Sequence, residues 1–232
     1  MKKGIGVIVS LMLVFAICWV PQRGTTMEKQ NPSHRLSLPE PVYDSGVSVE
    51  QALKNRRSVR SYADKPLTRQ DISQLLWSAQ GVTSPQGYRT APSAGALYPL
   101  EIYLGAGNVE NLADGLYHYR PDAHDMVAVE KGDPRQALWQ AAIKQRAVKD
   151  APAVIVITGV FSRTMEKYDK RGMQYVLIEA GHAAQNICLQ AVAMDLGSVP
   201  IGAFNDKTLR KVLKLDSTIY PIYIVPVGYP AE

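Results

Sequence analysis

The chain has 232 residues, of which 46% are hydrophobic and 20% are charged, a balance that is ordinary for one globular domain with some additional sequence. Its formal charge is +5, but Lys2, Lys3 and Arg23 lie among the first 24 residues, where no acidic residue offsets them, so the remaining chain carries only +2. This modest charge gives no reason to expect a nucleic-acid partner.

Residues 1–24 have the pattern of an export signal. Lys2 and Lys3 precede an apolar run over residues 5–20, which ends at Pro21. The run is short for a membrane-spanning helix and long for a signal-peptide core, so a signal peptide and an uncleaved signal anchor both remain open. We therefore expect an exported or membrane-anchored protein, with an anchor that leaves the domain on the cytoplasmic side as the alternative.

Residues 25–46 are polar and interrupted by prolines, which predicts a linker or extended arm before a folded domain over residues 47–232. Of the two cysteines, Cys18 lies in the N-terminal segment and Cys188 in the domain, so we expect no disulfide within the mature domain. The default for Cys188 is a buried thiol and not a nucleophile.

Helices and strands can be predicted in chain order from capping residues and hydrophobic periodicity. The patterns Ser48-x-x-Gln51 and Thr68-x-x-Asp71 predict the starts of two helices. There follow a loop over 81–87, strands over 97–104, 115–119 and 126–129, a helix over 133–148, a central strand over 153–158, a long helix over 174–196, a short helix over 207–213 and a last strand over 222–227. This order predicts an α+β sandwich, not a regularly alternating parallel sheet.

The glycine-rich stretch after the first long strand is not a dinucleotide fingerprint. Gly105-Ala106-Gly107 has the first part of the spacing, but Glu110 stands where the third small residue is needed. A carboxylate at that position would repel a pyrophosphate group, so we reject the motif.

The histidines do not predict a metal site. His118, Asp122, His124 and Asp125 cluster around the hairpin, but turn chemistry accounts for the aspartates more simply. Glu179 and His182 are three residues apart on the long helix. We interpret them as a surface pair and leave a catalytic role for His182 open.

A basic cluster and two small-residue segments indicate an anionic, flat ligand. The cluster spans residues 56–60, Arg-Arg-Ser-Val-Arg, and three guanidinium groups so close together are explained most easily by an anion such as a phosphate. Residues 89–99 and 197–205 are small and turn-forming, so their backbone amides could approach a flat ligand closely. A solvated basic run and two ordinary connectors are the alternatives.

Taken together, these segments resemble a known family. The succession RRSVR, APSAGALYP, LGSVPIGAF and PVGYP resembles the nitroreductase-like flavoproteins over residues 47–230. The form APSAGALYPLEIY is most similar to the SagB-type branch, which includes dehydrogenases that oxidise thiazolines and oxazolines in peptides. The resemblance implies a three-layer α+β sandwich with a mainly antiparallel central sheet, assembled as an intertwined homodimer with FMN at the interface.

The resemblance also assigns cofactor contacts by motif match. It implies that Arg56 lies on the phosphate or ribityl side of FMN and that Arg60 lies near the N1 edge of the flavin ring, where a cation would stabilise negative charge. It implies that residues 92–94 lie against the ring from the other subunit and that residues 200–203 present backbone amides to N5. The full set is Arg56, Arg57, Ser58, Arg60, Pro92, Ser93, Ala94, Pro200, Ile201, Gly202 and Ala203.

Three positions depart from the family pattern. Ala96 replaces an Asn that bonds the flavin in many relatives, and Gly202 replaces a Glu, although a main-chain N–H can still serve there. The sequence ends at Ala231-Glu232, without the Lys or Arg that usually holds the phosphate. We therefore expect Arg56, Arg57 and Arg210 to carry more of the phosphate binding.

Lys167 and Tyr168 resemble the Lys-Tyr pair of the azoline dehydrogenases, where it is assigned to proton removal from the heterocycle. A lysine desolvated beside a flavin could act as a base once its pKa falls. The alternative is a solvated turn of mixed charge over residues 166–171.

The predicted function is FMN-dependent transfer of two electrons, in ping-pong order, from a reduced donor such as NAD(P)H to a small organic acceptor. The alternatives are SagB-type dehydrogenation of peptide azolines and a flavin-binding protein without turnover.

Overall fold

The computed structural model describes Met1 and residues 35–231. The helices of this part are α1 (Val49–Asn55), α2 (Arg69–Gln80), α3 (Arg135–Ala141), α4 (Arg146–Asp150), α5 (Phe161–Tyr168), α6 (Arg171–Ala193) and α7 (Asp206–Val212). The strands are β1 (Arg35–Ser37), β2 (Leu100–Ala106), β3 (Gly115–Arg120), β4 (Asp125–Lys131), β5 (Ala153–Val160), β6 (Gly197–Ser198) and β7 (Ile219–Gly228). A short 3-10 turn, Ala94–Ala96, precedes β2.

The strands form one antiparallel sheet in the order β1-β4-β3-β2-β5-β7-β6. Strand β5 lies inside it, and its side chains alternate between two hydrophobic cores. Ile155 and Ile157 enter the core under α2 and α6, whereas Val154 and Val156 enter the core under α3 and α7. The prediction of a three-layer α+β sandwich with a mainly antiparallel sheet is therefore confirmed.

Both predicted capping boxes are present. Ser48 Oγ accepts a hydrogen bond from Gln51 N at 3.2 Å, and Thr68 Oγ1 accepts one from Asp71 N at 3.1 Å. The side chains of Gln51 and Asp71 bond back to the backbone N–H of the capping residue. These reciprocal bonds satisfy N–H groups that a helix start would otherwise leave free, which fixes where α1 and α2 begin.

The helices differ from the prediction at several points, and the long helix expected over residues 174–196 is α6, Arg171–Ala193. The helix expected over residues 133–148 is divided into α3 and α4, because Ile143 and Lys144 adopt left-handed backbone with φ of 53° and 58°. Residues 161–168, which include part of the expected charged turn, form α5, and the chain reverses at Asp169 with φ 49° before α6. Residues 166–168, at the end of α5, are therefore helical and do not belong to a turn.

The described part of the extended arm is attached to the domain. Strand β1 pairs with β4, where Leu36 lies opposite Met126. Farther along, Val42 N donates to Gln74 Oε1 at 2.8 Å, and Gln74 Nε2 donates back to Val42 O at 2.9 Å. The folded structure thus begins before residue 47.

The prediction of an exported or membrane-anchored protein is wrong. Among Met1 and residues 35–231, no helix combines the length and the apolar composition that crossing a bilayer requires. The longest of these helices, α6, carries Glu179 and several other polar side chains, and one of its faces packs in the core. The apolar run over residues 5–20, on which the prediction rested, lies outside the described residues.

Candidate active site

The basic cluster meets the 197–205 segment. Ser58 forms an isolated parallel bridge with Ser198, and Val59 N donates to Ser198 O at 3.1 Å. The approach is so close that a Cβ placed on Gly197 would lie 2.6 Å from Cβ of Val59. Glycine is required here because the Val59 side chain leaves no room for a Cβ, and this close contact brings two of the three predicted cofactor segments together.

The guanidinium groups of the cluster make no ion pair with a carboxylate within residues 35–231. Arg57 Nη1 donates to Lys54 O at 3.0 Å and to Arg56 O at 2.8 Å, and Arg60 Nη1 reaches Ser58 O at 3.5 Å. Arg57 and Arg60 are exposed, whereas Arg56 is half-buried. Their charges therefore stay available to an external anion.

A cavity of about 450 Å³ lies beside this junction and is lined in part by Arg57, Val59, Cys188 and Ser198. Its volume lies in the range of small-molecule sites. Cys188 is buried, as expected, and burial raises the pKa of its thiol, although Ser198 and Arg56 oppose the shift. The thiol is therefore a packing group at the floor of the site and not an activated nucleophile.

Residues 200–203 continue the chain from this junction along the edge of the sheet. Ile201 is buried and exchanges backbone hydrogen bonds with Ile224 at 2.8 and 2.9 Å, which anchors the segment on β7. Gly202 and Ala203 follow and are exposed, and Gln145 Nε2 donates to Ala203 O at 2.9 Å. The segment thus presents exposed backbone at Gly202 and Ala203, a few residues along the chain from the junction at Ser198.

The third predicted segment forms a tight turn over residues 93–98, which we call the 93–98 turn. Gly95, Ala96 and Tyr98 have φ of 64°, 53° and 45°, a left-handed conformation that costs energy for residues other than glycine. Ser93 Oγ accepts a hydrogen bond from Tyr98 N at 2.9 Å, which closes the turn.

Lys167 and Tyr168 lie against this turn. A Cβ placed on Gly95 would come within 2.8 Å of the Tyr168 hydroxyl oxygen and 2.9 Å of Lys167 Nζ. The Tyr168 ring is held edge-on to Tyr175 of α6, with 5.2 Å between ring centroids. The structure thus joins the predicted catalytic pair to the predicted ring-facing loop through α5, a helix that the sequence did not indicate.

Within one chain, the candidate residues therefore form two clusters. In the first, residues 56–60 contact residues 197–198, and in the second, residues 93–98 contact residues 167–168. Helix α6 contacts both, through Cys188 at the first and Glu179 at the second. Nine residues of α-helix separate these two positions by about 14 Å along the axis. The two clusters are thus held at different positions along the axis of α6.

A buried polar group under the 93–98 turn was not predicted. Glu179 is only 2% exposed, so the interpretation of Glu179 and His182 as a surface pair is wrong, because only His182 faces outward. The carboxyl faces Ser93, Arg89 and Gln80, and burial raises its pKa to about 7 although these three groups favour the charged form. Hydrophobic periodicity cannot reveal such a residue, because it identifies buried positions by their apolar side chains, and Glu179 is a charged residue on the buried face of α6.

The polar atoms around Glu179 are incompletely paired. Arg89 Nη1 donates to Gln80 Oε1 at 3.1 Å, and its guanidinium lies 4.5 Å from the centroid of the Tyr98 ring. Glu179 Oε1, Gln80 Nε2 and Arg89 Nε have no hydrogen-bond partner among the described residues. Buried polar atoms without partners are rare, which marks this cluster as unusual.

The histidine cluster of the hairpin is divided among separate partners. His118 Nε2 lies 2.7 Å from Glu101 Oε2, and His124 lies 2.7 Å from Ser73 Oγ and 2.9 Å from the Tyr119 hydroxyl. Asp125 pairs with Arg120. Within the described residues, no group of three or more potential ligands is arranged to hold a metal ion.

Comparison with known proteins identifies the class. A family model described as the nitroreductase family matches residues 53–229. A nitroreductase-family protein of Methanocaldococcus jannaschii is 41% identical over 186 residues, covering 80% of this chain and 93% of the relative. The crystal structure of a nitroreductase-family protein from Ralstonia eutropha superposes with a TM-score of 0.76 at 30% identity, covering 86% of this chain and 90% of the other.

Two further relatives have named activities. The microcin B17-processing protein McbC of Escherichia coli is 29% identical over 180 residues, covering 74% of this chain and 62% of McbC. An FMN reductase [NAD(P)H] of Bacillus subtilis is 23% identical over 198 residues, covering 79% of this chain and 66% of the enzyme. The fold and these relatives define an oxidoreductase. The chain belongs to the nitroreductase family, as the motif succession predicted.

The contact between Gly95 and α5 predicts a measurable cost for a side chain at this position. Gly95→Ala should lower the free energy of unfolding by more than Gly87→Ala, because both positions have positive φ but only Gly95 faces Tyr168 and Lys167. The backbone conformation alone should cost about 1 kcal/mol in each variant. Urea unfolding measures both, and equal losses would show that α5 does not press on the turn.

The burial of Glu179 predicts an unusual dependence of stability on pH. The folded chain holds this proton up to about pH 7, whereas the unfolded chain releases it near pH 4.5, so stability is lost as the pH rises between these values. Glu179→Gln removes the titration and should be more stable than the wild type near pH 8.5 by up to about 3 kcal/mol, but similar to it at about pH 4.

Urea unfolding at the two pH values measures this difference. The exposed Glu166 provides the control, because Glu166→Gln should leave the stability profile unchanged. A Glu179→Gln effect of the same size at both pH values would contradict the assignment of the titration to this carboxyl.

Proposed function

We propose that the chain is an FMN-dependent oxidoreductase that transfers two electrons from a reduced donor, such as NADH or NADPH, to a small organic acceptor. The observation that carries the proposal is the group of three arginines, which make no ion pair with a carboxylate within residues 35–231 and which meet the 197–205 segment where Ser58 bridges Ser198. A relative named as an FMN reductase supports the choice of cofactor.

The residues present fit this cofactor. Arg56 and Arg57, with Ser58, would hold the phosphate, because guanidinium groups bind phosphate in a bidentate manner. Arg60 would stand near the N1 edge of the ring and favour negative charge there, and the amides of Gly202 and Ala203 would face N5. When bound, FMN would supply a group that accepts two electrons and passes them on.

A homodimer would complete the site. Residues 92–94 are the expected contacts to the ring from the second subunit, and within one chain the α6 residues that face the two clusters, Glu179 and Cys188, are about 14 Å apart along the helix axis. Exposed apolar side chains offer a surface for this pairing: Val49 and Leu53 on α1, and Met173, Leu177 and Ile178 on α6. Pairing through them would bring residues 92–94 of one chain to the basic cluster of the other.

The donor and the acceptor would use the same face of the ring in turn. The sequence contains no dinucleotide fingerprint and no phosphate-binding GxxxxGK[ST] loop, so a separate nucleotide site in this domain has no support. Ping-pong kinetics is therefore the expected order, with the open 200–203 backbone on the substrate side.

Loss of two arginines should remove the cofactor. Arg56→Ala combined with Arg57→Ala should weaken FMN binding by on the order of 100-fold, because two charge-assisted contacts to phosphate are lost. The measurement is the quenching of FMN fluorescence on titration with protein, and Arg146→Ala, an exposed arginine paired with Asp150, is the control.

The same preparations test turnover. Wild-type protein with FMN should lose its yellow colour with NADH or NADPH and regain it with a quinone or nitro compound. Unchanged FMN affinity in the double variant would refute the phosphate assignment. A protein that binds FMN but is inert to both donors would favour the alternative of a flavin-binding protein without turnover.

A second candidate function, SagB-type dehydrogenation of peptide azolines, is favoured by the contact of Lys167 and Tyr168 with the 93–98 turn. The likeness to McbC, a microcin-processing protein, supports it. In this reaction Lys167 would remove a proton from the heterocycle, and Tyr168 would orient the heterocycle.

Lys167→Ala separates the two functions. Oxidation of a thiazoline-containing peptide should fall by about 100-fold or more, the usual effect of removing a general base. FMN affinity and quinone reduction should remain unchanged, and Lys170→Ala, an exposed lysine of the following turn, should match the wild type. An unaffected rate of azoline oxidation would eliminate the base assignment.

A further inference from the structure

The carboxyl of Glu179 is placed where a merely structural residue is hard to explain. It lies on α6, is 2% exposed, and faces the 93–98 turn from the core side. Burying an ionisable group is unfavourable unless it is fully paired, yet Oε1 has no hydrogen-bond partner within the described residues. An uncharged side chain of similar shape would cost less, so the carboxyl is retained at the expense of stability.

The charged and polar groups that surround Glu179 belong to several different parts of the fold. Arg89 is a charged group that faces the carboxyl, and Asp122 Oδ1 in turn lies 3.6 Å from Arg89 Nη2. Gln80 of α2 and Ser93 of the turn are the neutral polar neighbours. On α6 itself, His182 points outward to solvent.

Ser93 faces the Glu179 carboxyl and also contacts the backbone of the turn. The Ser93 oxygen accepts the Tyr98 N–H at 2.9 Å, and the single hydroxyl hydrogen then needs an acceptor of its own. An ionised carboxyl is the strongest acceptor available and polarises the hydroxyl, which strengthens the bond from Tyr98. A neutral carboxyl carries a hydrogen itself and is a poorer acceptor.

We propose that Glu179 is a positioning residue whose ionised carboxyl, acting through Ser93, holds the strained 93–98 turn in the shape that contacts FMN. The turn needs such support, because Ala96 and Tyr98 keep left-handed backbone that other residues around them must stabilise. The proposal rests on the proposed function only in its second part, the contact with FMN.

The first part is tested without cofactor by hydrogen exchange of the purified full chain. The protection of the Tyr98 amide, corrected for intrinsic exchange, should rise by about five-fold between about pH 6 and pH 8.5, the equivalent of one hydrogen bond. The Gly87 amide, which donates to Ser84 O at 3.0 Å in another turn, is the internal reference.

The variants assign the effect to Glu179. Glu179→Gln should give low Tyr98 protection at every pH, Ser93→Ala should lose both the protection and its pH dependence, and Glu166→Gln should follow the wild type. A wild-type Tyr98 protection that does not change with pH overturns the proposal, whatever the variants do. So does a Glu179→Gln variant that keeps the wild-type profile.

The second part is tested by FMN affinity at the same two pH values. The ratio of wild-type to Glu179→Gln affinity cancels the titration of the FMN phosphate and should be near one at about pH 6 and about five at pH 8.5. A ratio that does not change with pH overturns the link from the turn to FMN. No binding of FMN to the wild type would instead overturn the proposed function, while the exchange experiment still decides the role of Glu179.

Discussion

The packing of α6 against the sheet is the constraint on which the rest of the structure depends. Its apolar stripe, Val176, Ala180, Ala184, Ile187 and Ala191, is buried along the whole contact. The alanines let the helix approach the strands closely, which fixes its axis and rotation. This one interface therefore determines the position, along the helix axis, of each side chain that α6 presents to the candidate site.

The candidate site combines a stable frame with locally unfavourable features. The basic cluster brings like charges together, the 93–98 turn contains left-handed residues other than glycine, and Glu179 is buried with one oxygen that has no hydrogen-bond partner within residues 35–231. Each feature reduces stability, and the continuous cores on both faces of the sheet compensate for them. This distribution is typical of functional sites, where unfavourable local geometry is maintained by the surrounding structure.

Local signals made much of the fold predictable. Capping boxes located α1 and α2, and an unbroken β-branched run located β5, because each depends on neighbours in sequence. The division between α3 and α4 was not predictable, since no glycine or proline marks Ile143 and Lys144. The motifs indicated the segments of the site, but the burial of Glu179 depends on the loop that folds over it, and no neighbour in sequence indicates that contact.

The edges of the sheet have a consequence for behaviour in concentrated solution. Beyond β7, the described residues add the two-residue β6, the bridge at Ile201 and the bridge from Ser58 to Ser198, and β7 itself carries Pro221 and Pro226, which lack an N–H to offer an incoming strand. The opposite border ends in the three-residue β1. Within the described residues, both borders of the sheet therefore offer little backbone that could pair with a strand of another copy.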